Sequence, residues 1–387
     1  MKFSERSKKI KPSATLAVSA LARKLKAEGR PVLSFSMGEP DFPSPESALA
    51  SARDAMDRGE THYTANSGIP ELKRAVAGYY KKRFGLEYSP QEIFISGGAK
   101  QILYEALQTL VDDDDEVLLP APAWVSYIEQ VRMAGGAVSL VETADTGFVP
   151  VEDRIKNAVS GRTAGMIINT PNNPTGAVYG EDTIETIAGV ARKNNLWIIF
   201  DEIYERLVYG SAAHKNILQA APDIRDRVLL VNGVSKAYSM TGWRIGYALG
   251  PREIISKMDD IQSHIASNPS SISQWASVGA IECAESDIEL HRGEFERRRD
   301  IMYDLLSGVS GLRLTRPDGA FYAFLDVRES KIPDDMEFCR RILEEKYVAL
   351  VPGASFMAPG FVRMSYACSE RELLEGAARI EEFMRSI

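Results

Sequence analysis

The sequence predicts an α/β protein with a doubly wound, mostly parallel sheet flanked by helices, followed by a smaller α+β unit. From about residue 90, short apolar runs alternate with helical patterns such as residues 181–194, which supply the crossover connections that parallel strands need. Several runs are continuously apolar, as expected for strands that are buried on both faces. Because such sheets bind ligands beyond the carboxyl ends of their strands, the residues that follow each run are the first candidates for function.

The apolar runs give the predicted strands of the sheet in chain order. They span residues 92–96, 116–120, 137–141, 164–169, 196–200, 228–232 and 245–250. A long polar-faced helix at residues 291–306 separates them from a tail of different organisation. The tail has predicted strands at residues 319–327, 348–353 and 361–367, and helices near residues 335–346 and from Glu370. This mixture of strands and helices predicts the α+β unit.

Length and composition indicate a globular protein of two domains and argue against a nucleic-acid partner. Of 387 residues, 44% are hydrophobic and 26% charged, and the net charge is −8 without a long run of lysine and arginine. The three cysteines and four histidines are scattered, without the spacing of a metal site. Three cysteines are also too few for a disulfide framework. We therefore expect no metal.

The N-terminal segment resembles the basic and apolar regions of a signal peptide, but we interpret it as a helix of the mature protein. Its apolar stretch "ATLAVSALA" is short and rich in Ala, Ser and Thr, and Arg23 and Lys24 follow at once. Leu21 and Leu25 fit one face of an amphipathic helix, together with Leu16 and Ala20. No run approaches the ~20 apolar residues that span a bilayer. The sequence thus predicts a cytoplasmic protein without a membrane segment.

Polar residues with two possible interpretations follow the buried runs. Asp201 comes directly after residues 196–200, where it is suited either to cap a helix or to project into a ligand site, and Tyr204 lies one helical turn further on. In "NTPNNPTGAVY", Asn172 and Asn173 fit a turn, yet two amides at the end of a strand also offer donors to a ligand. The "ISGGAKQ" segment opens a helix whose first N–H groups suit a phosphate.

The segment "SKAYSMTGWRIG" and these strand ends together match the chemical groups of one ligand. Alone, Lys236 reads as a solvated surface lysine. With Ser235 and Arg244 beside it, an aspartate at another strand end and a glycine-rich helix start, it matches a ligand that has an aldehyde, a ring nitrogen and a phosphate. That ligand is pyridoxal 5′-phosphate (PLP), whose aldehyde reacts with a lysine and whose ring nitrogen an aspartate keeps protonated.

Ten segments in family order give the chain its resemblance to the class I PLP-dependent aminotransferases of fold type I, and within them to the bacterial and archaeal aspartate aminotransferase branch. The segments are "KPSAT", "GEPDF", "THYTANSGIPELK", "GGAKQ", "APAWVSY", "NTPNNPTGAVY", "DEIYE", "NGVSKAYSMTGWRIGY", "PDGAFY" and "VRMSYACS". The resemblance implies a large PLP-binding domain of residues 37–286 and a small domain of residues 1–36 and 287–387. It also implies transfer of an amino group between L-aspartate and 2-oxoglutarate. Aromatic, prephenate or alanine transamination and PLP-dependent C–S cleavage are the alternatives.

The resemblance also implies roles for individual residues around the cofactor. It makes Lys236 the Schiff-base lysine and proton carrier, pairs Asp201 with the ring nitrogen, and gives the ring oxygen to Tyr204 and Asn173. The residues that it places around the ring face and the phosphate are Trp124, Gly98, Ala99, Lys100, Ser235, Arg244 and, from the neighbouring subunit of a homodimer, Tyr63. Trp124 and Tyr63 also fit plain core packing and a surface aromatic, respectively.

The resemblance implies a second set of residues for the substrate. Arg363 would bind the α-carboxylate in a bidentate fork, helped by Asn173, the backbone of Gly38 and the ring of Trp124. The best-known family members bind the side-chain carboxylate with an arginine from the neighbouring subunit, but residues 263–277 contain none. In the resembling branch, Lys100 and hydroxyl residues near Ser13 and Thr15 are the substitutes. Lys100 also fits a solvated side chain, and the two hydroxyls also fit helix caps.

Overall fold

The computed structural model describes residues 2–4, 8, 10 and 14–387, and of residues 14–17 it describes the backbone only. Its central sheet has seven strands in the order β2-β8-β7-β6-β5-β3-β4. These strands are β2 (Ile93–Ser96), β3 (Glu116–Ala121), β4 (Ala137–Glu142), β5 (Thr163–Asn169), β6 (Trp197–Asp201), β7 (Val228–Gly233) and β8 (Gly246–Leu249). The predicted fold class, α/β with a mostly parallel sheet, is confirmed.

Helices cover both faces of this sheet and form the crossovers between its strands. The N-terminal helix α1 (Ala14–Ala27) packs elsewhere, and the helices around this sheet are, in chain order, α2 (Glu46–Asp57), α3 (Pro70–Phe84), α4 (Ala99–Leu110), α5 (Val125–Met133), α6 (Glu152–Ala158), α7 (Glu181–Asn194), α8 (Ile217–Ala220), α9 (Arg252–Ile265) and α10 (Ser271–Cys283). The middle strands are buried along most or all of their length, which explains why their sequences are continuously apolar. Strand β8 runs opposite to the other six strands of the sheet and is antiparallel to both β2 and β7. The composition of an apolar run does not encode this direction.

A four-stranded antiparallel sheet in the order β12-β13-β10-β9 organises the C-terminal part. Its strands are β9 (Arg313–Leu314), β10 (Tyr322–Asp326), β12 (Val351–Pro352) and β13 (Phe361–Ser365), and its helices are α11 (Glu285–Leu306), α12 (Asp335–Lys346) and α13 (Glu370–Ser386). The run at residues 348–353 is divided, because β11 (Val348–Ala349) pairs instead with β1 (Leu33–Ser34). This pairing attaches the N-terminal segment to the C-terminal part.

The predicted N-terminal helix is present as α1, and of its predicted apolar face Leu25 packs inward as expected whereas Leu21 does not. Leu21 is 47% exposed, whereas Ala22 is buried and packs in a cluster with Val32, Leu343 and Ala349. The helix rotates its small residues inward because β1 and β11 lie close beneath it, and a larger side chain fits less well there. Among the described residues, no helix is both long and apolar enough to cross a membrane.

Candidate active site

A cleft of about 480 Å³ lies at the carboxyl edge of the central sheet. The register of the strands creates it, since Asn169 at the end of β5 pairs with Asp201 at the end of β6. The structure brings most of the predicted site residues together on its walls. They are Gly38, Ala99, Lys100, Trp124, Asn173, Asp201, Tyr204, Ser235, Lys236, Arg244 and Arg363.

Lys236 lies in the turn after β7, with its amine inside the cleft. Its Nζ donates a hydrogen bond to the carbonyl oxygen of Gly38 at 2.6 Å, and its side chain is half-buried. Burial lowers the pKa of Lys236 to about 8, with the positive charges of Arg363, Arg244 and Lys100 adding to that effect against the attraction of Glu39. The uncharged amine, which acts as nucleophile or proton acceptor, is therefore far more populated near neutral pH than that of an ordinary lysine.

Asp201 is buried at the end of β6, and its two carboxylate oxygens accept different hydrogen bonds. The hydroxyl of Tyr127 donates to Oδ2 at 2.8 Å, and the backbone N–H of Ile203 donates to Oδ1 at 3.2 Å. Burial raises the pKa of Asp201 to about 6, although these hydrogen bonds favour the ionised form. The hydrogen bond from Ile203, two residues further along the chain, fits a capping role, but a carboxylate that also lines a cleft is suited to hold a cationic partner.

The start of α4 and the turn before β8 together form an anion-binding end of the cleft. The N–H groups of Ala99 and Lys100 are the first of the helix and have no acceptor within it. Gly98 precedes them with a φ of 102°, and a Cβ added there would lie 2.6 Å from the guanidinium of Arg244. Ser235 is buried on the same cleft. Only a glycine allows the helix start and the arginine to approach so closely.

Arg363 projects from β13 and is buried without an acidic partner among the described residues. Its Nη1 donates to Oδ1 of Asn173 at 2.9 Å and its Nη2 to the carbonyl of Ser36 at 2.7 Å, while its Nε has no acceptor. Burial lowers its pKa, although the ring of Tyr322 lies 4.5 Å below the guanidinium. A buried guanidinium with an unused donor is costly unless a carboxylate binds it.

The whole cleft carries more positive than negative side chains. Its basic residues are Arg23, Lys100, Lys236, Arg244 and Arg363, and its acidic residues are Glu39 and Asp201. Within the described part of the chain, none of these basic side chains forms an ion pair with a carboxylate. Since arginines elsewhere on the surface are mostly paired, the cleft is built for a ligand, or ligands, with several negative charges.

The comparisons with known proteins give the family. Residues 30–380 match the family model described as "Aminotransferase class I and II". The chain belongs to the class I and II aminotransferases. This aminotransferase is 42% identical to the aspartate aminotransferase of Geobacillus stearothermophilus, with 100% of each chain covered. It is also 42% identical to the aspartate/prephenate aminotransferase of Thermus thermophilus, with 98% of each chain covered.

Solved structures agree with this family. The aspartate aminotransferase of Thermus thermophilus with maleate superposes with a TM-score of 0.95, at 41% identity and with 99% of each chain covered. The enzyme from Rhizobium meliloti superposes equally well, at 39% identity. The cofactor of such aminotransferases is pyridoxal 5′-phosphate. The cleft fits it, because an amine, a buried carboxylate and a glycine-lined helix start match its aldehyde, ring nitrogen and phosphate.

The aminotransferase cleft contains residues that sequence reasoning missed. Tyr127 lies three positions after Trp124 on α5, so "APAWVSY" contained a usable signal that no functional pattern singled out. Tyr322, from "PDGAFY", hydrogen-bonds through its hydroxyl to that of Tyr204 at 2.9 Å. Arg23 reaches the cleft from α1, a contact that only the packing of the N-terminal helix determines.

Four predicted residues are not among those that line the described cleft, and one of them, Gly98, directly precedes its anion-binding end. Tyr63 is 92% exposed and does not line the cleft of its own subunit. Ser13 lies outside the described residues, and of Thr15 only the backbone, within α1, is described. The roles expected for the two hydroxyls stay predictions.

Proposed function

We propose that this aminotransferase transfers the amino group of L-aspartate to 2-oxoglutarate, in two half-reactions that share one site. The observation that carries the proposal is the set of unpaired basic side chains in the cleft, which exceeds what a phosphate and one carboxylate require. Dicarboxylic substrates bring the additional negative charge. The Thermus thermophilus structure contains maleate, a dicarboxylate, which supports the same conclusion.

We infer the cofactor contacts from the geometry of the cleft. Asp201 would hold the ring nitrogen, Tyr204 and Asn173 would hold the ring oxygen, and Trp124 would lie against the ring. The N–H groups that follow Gly98 hold the phosphate, together with Ser235 and Arg244. When bound, PLP supplies an electron-withdrawing ring that stabilises negative charge at the substrate Cα.

Lys236 is the residue that we propose to move the proton. Its amine would take the proton from the substrate Cα and deliver it to C4′ of the cofactor, and in the second half-reaction it would carry a proton in the reverse direction. A pKa of about 8 suits both directions, because the amine then gains and loses a proton at similar cost near neutral pH. The carbonyl of Gly38, which accepts the hydrogen bond from Nζ, holds the amine in the cleft between the two transfers.

Arg363 is the residue that we propose to bind the α-carboxylate. Its free Nε–H and an adjacent Nη–H form the flat pair of donors that a carboxylate matches. Asn173 already accepts a hydrogen bond from Nη1, so the amide fixes the plane of the guanidinium. Gly38 leaves room beside them, because a Cβ there would lie 2.3 Å from the hydroxyl of Tyr322.

The finer features of the proposal concern assembly and location. We propose a cytoplasmic homodimer in which Tyr63 of each subunit contributes to the phosphate site of the other. Its support is the 92% exposure of this aromatic side chain, which is costly on a free surface. Relatives named aspartate/prephenate aminotransferase favour prephenate as a second acceptor.

Lys100→Ala is expected to slow aspartate about tenfold to a hundredfold in kcat/KM and phenylalanine much less. The amine of Lys100 lies 4.7 Å from the ring of Trp124, at the wall of the cleft, and has no acid to pair with in the described chain. A charge-assisted hydrogen bond to a side-chain carboxylate contributes ~1.5–3 kcal/mol, and an aromatic substrate does not make it.

The control for this variant is Lys257→Ala, which removes an exposed lysine on α9 that pairs with Asp260. Both substrates are assayed with 2-oxoglutarate for the wild type and for each variant. An equal fall for aspartate and phenylalanine in Lys100→Ala would show that the side chain only supports the cleft. The control variant is expected to leave kcat/KM unchanged for both aspartate and phenylalanine.

A further inference from the structure

One basic side chain of the cleft has no role in the proposed function. In that proposal, Arg244 binds the phosphate and Arg363 binds the α-carboxylate. Lys236 acts at the reacting carbon, and Lys100 binds the side-chain carboxylate. Arg23 lines the same cleft from α1. It makes no hydrogen bond or ion pair within the described chain, whereas its neighbour Lys24 lies 4.0 Å from Glu28.

The packing of α1 explains how Arg23 reaches the cleft. One turn earlier on the same face, the hydroxyl of Ser19 lies 2.9 Å from that of Ser36, and the carbonyl of Ser36 accepts the hydrogen bond from Nη2 of Arg363. Residues four apart on a helix share a face, so the contact at Ser19 directs Arg23 toward the same opening. Ser36 therefore links Arg363 to the face of α1 that carries Arg23.

We propose that Arg23 is a specificity-determining residue that binds the side-chain carboxylate of a dicarboxylic substrate together with Lys100. This inference rests on the proposed function. A guanidinium suits the purpose because it offers several donors in one plane and stays charged at every working pH.

The effect of Arg23 on acidic substrates is expected to be smaller than that of Lys100. Its side chain is exposed, and solvent weakens an ion pair at such a position. Loss of this pair is expected to lower kcat/KM for aspartate by roughly three- to fivefold. Alanine has no second carboxylate and should stay within about twofold of the wild type.

The test compares Arg23→Ala, Arg23→Lys and the matched control Lys24→Ala, which removes the neighbouring positive charge of the same helix. The holoenzyme is mixed with aspartate or alanine without a 2-oxo acid, so that the dicarboxylic acceptor does not enter the measurement. The loss of the visible cofactor band gives the rate. In parallel, the dissociation constants of maleate and propanoate are measured by titration.

The inference is supported if Arg23→Ala lowers kcat/KM for aspartate and weakens maleate binding roughly three- to fivefold, while alanine, propanoate and the control variant are unchanged, and if Arg23→Lys recovers part of the loss. It is overturned if aspartate and alanine fall equally, or if neither changes. A wild type that does not prefer aspartate over alanine would overturn the proposed function as well. An aspartate preference that is as large in Arg23→Ala as in the wild type would overturn the role of Arg23 alone.

Discussion

Lys236→Ala is expected to lose turnover by roughly 10⁴-fold or more while it still binds part of its pyridoxal phosphate. The substitution removes the amine that reaches the cleft and that we propose to carry the proton. The start of α4, Arg244 and Asp201 remain, so the phosphate and ring contacts survive. Turnover with aspartate and 2-oxoglutarate, and the cofactor retained after gel filtration, measure the two effects separately.

The matched control for Lys236→Ala is Lys73→Ala. Lys73 is also partly buried with a lowered pKa, but it donates to Ser67 away from the cleft. The control should keep full turnover. Normal turnover in Lys236→Ala would contradict the role of this lysine and, with it, the placement of the active site.

Asp201→Asn is expected to bind the cofactor and to lose roughly 10²- to 10³-fold in turnover. The amide oxygen still accepts the hydrogen bond from the N–H of Ile203, and the amide NH2 donates to the hydroxyl of Tyr127 in a reversed bond, but the amide does not carry the negative charge that holds a protonated ring nitrogen. The same assay of turnover and retained cofactor applies. An unchanged rate would mean that Asp201 only caps the turn after β6.

The same variant is expected to stabilise the cofactor-free protein in a pH-dependent way. The pKa of Asp201 is raised from 3.8 to about 6, so the fold disfavours the ionised carboxylate. The ionised carboxylate therefore lowers the free energy of unfolding by about 3 kcal/mol above pH 6, and this effect disappears as the pH falls toward 4. Urea unfolding of the apoprotein should therefore show Asp201→Asn more stable than the wild type at pH 8, with a difference that shrinks toward pH 4.

A pH-independent difference between the two apoproteins would contradict the electrostatic explanation. It would indicate a change in packing around Tyr127 instead. Tyr127→Phe provides the complementary control, because it removes a hydrogen bond that favours the ionised carboxylate. This variant is expected to be less stable than the wild type at pH 8, where the carboxylate is ionised, and to differ little from it at pH 4.

Those parts of the fold that rest on local patterns were predictable from the sequence. The central strands are buried on both faces, and their apolar runs ended close to the observed strand ends, so Asp201 and Lys236 could be placed at one edge of the sheet. The antiparallel direction of β8 could not be predicted, because a short buried run has the same composition in either direction.

The cleft residues that escaped prediction depend on contacts between distant parts of the chain. Tyr127 reaches Asp201 across 74 positions, and Tyr322 reaches Tyr204 across 118. Nothing in the local sequence distinguishes such tyrosines from core aromatics. The face of α1 was partly misjudged for the same reason, since the contact with Ser36 and β11 outweighs the pattern of leucines and turns Arg23 toward the cleft.

Titration of the holoenzyme with aspartate in the absence of a 2-oxo acid tests the central claim most directly. The visible absorbance of the lysine-bound cofactor is expected to disappear as aspartate is added, and to return when 2-oxoglutarate is supplied. Glutamate should act similarly, whereas alanine and tyrosine should need higher concentrations because they leave Lys100 and Arg23 without a carboxylate. A band that aspartate does not change, while another amino acid removes it, would contradict the proposed function.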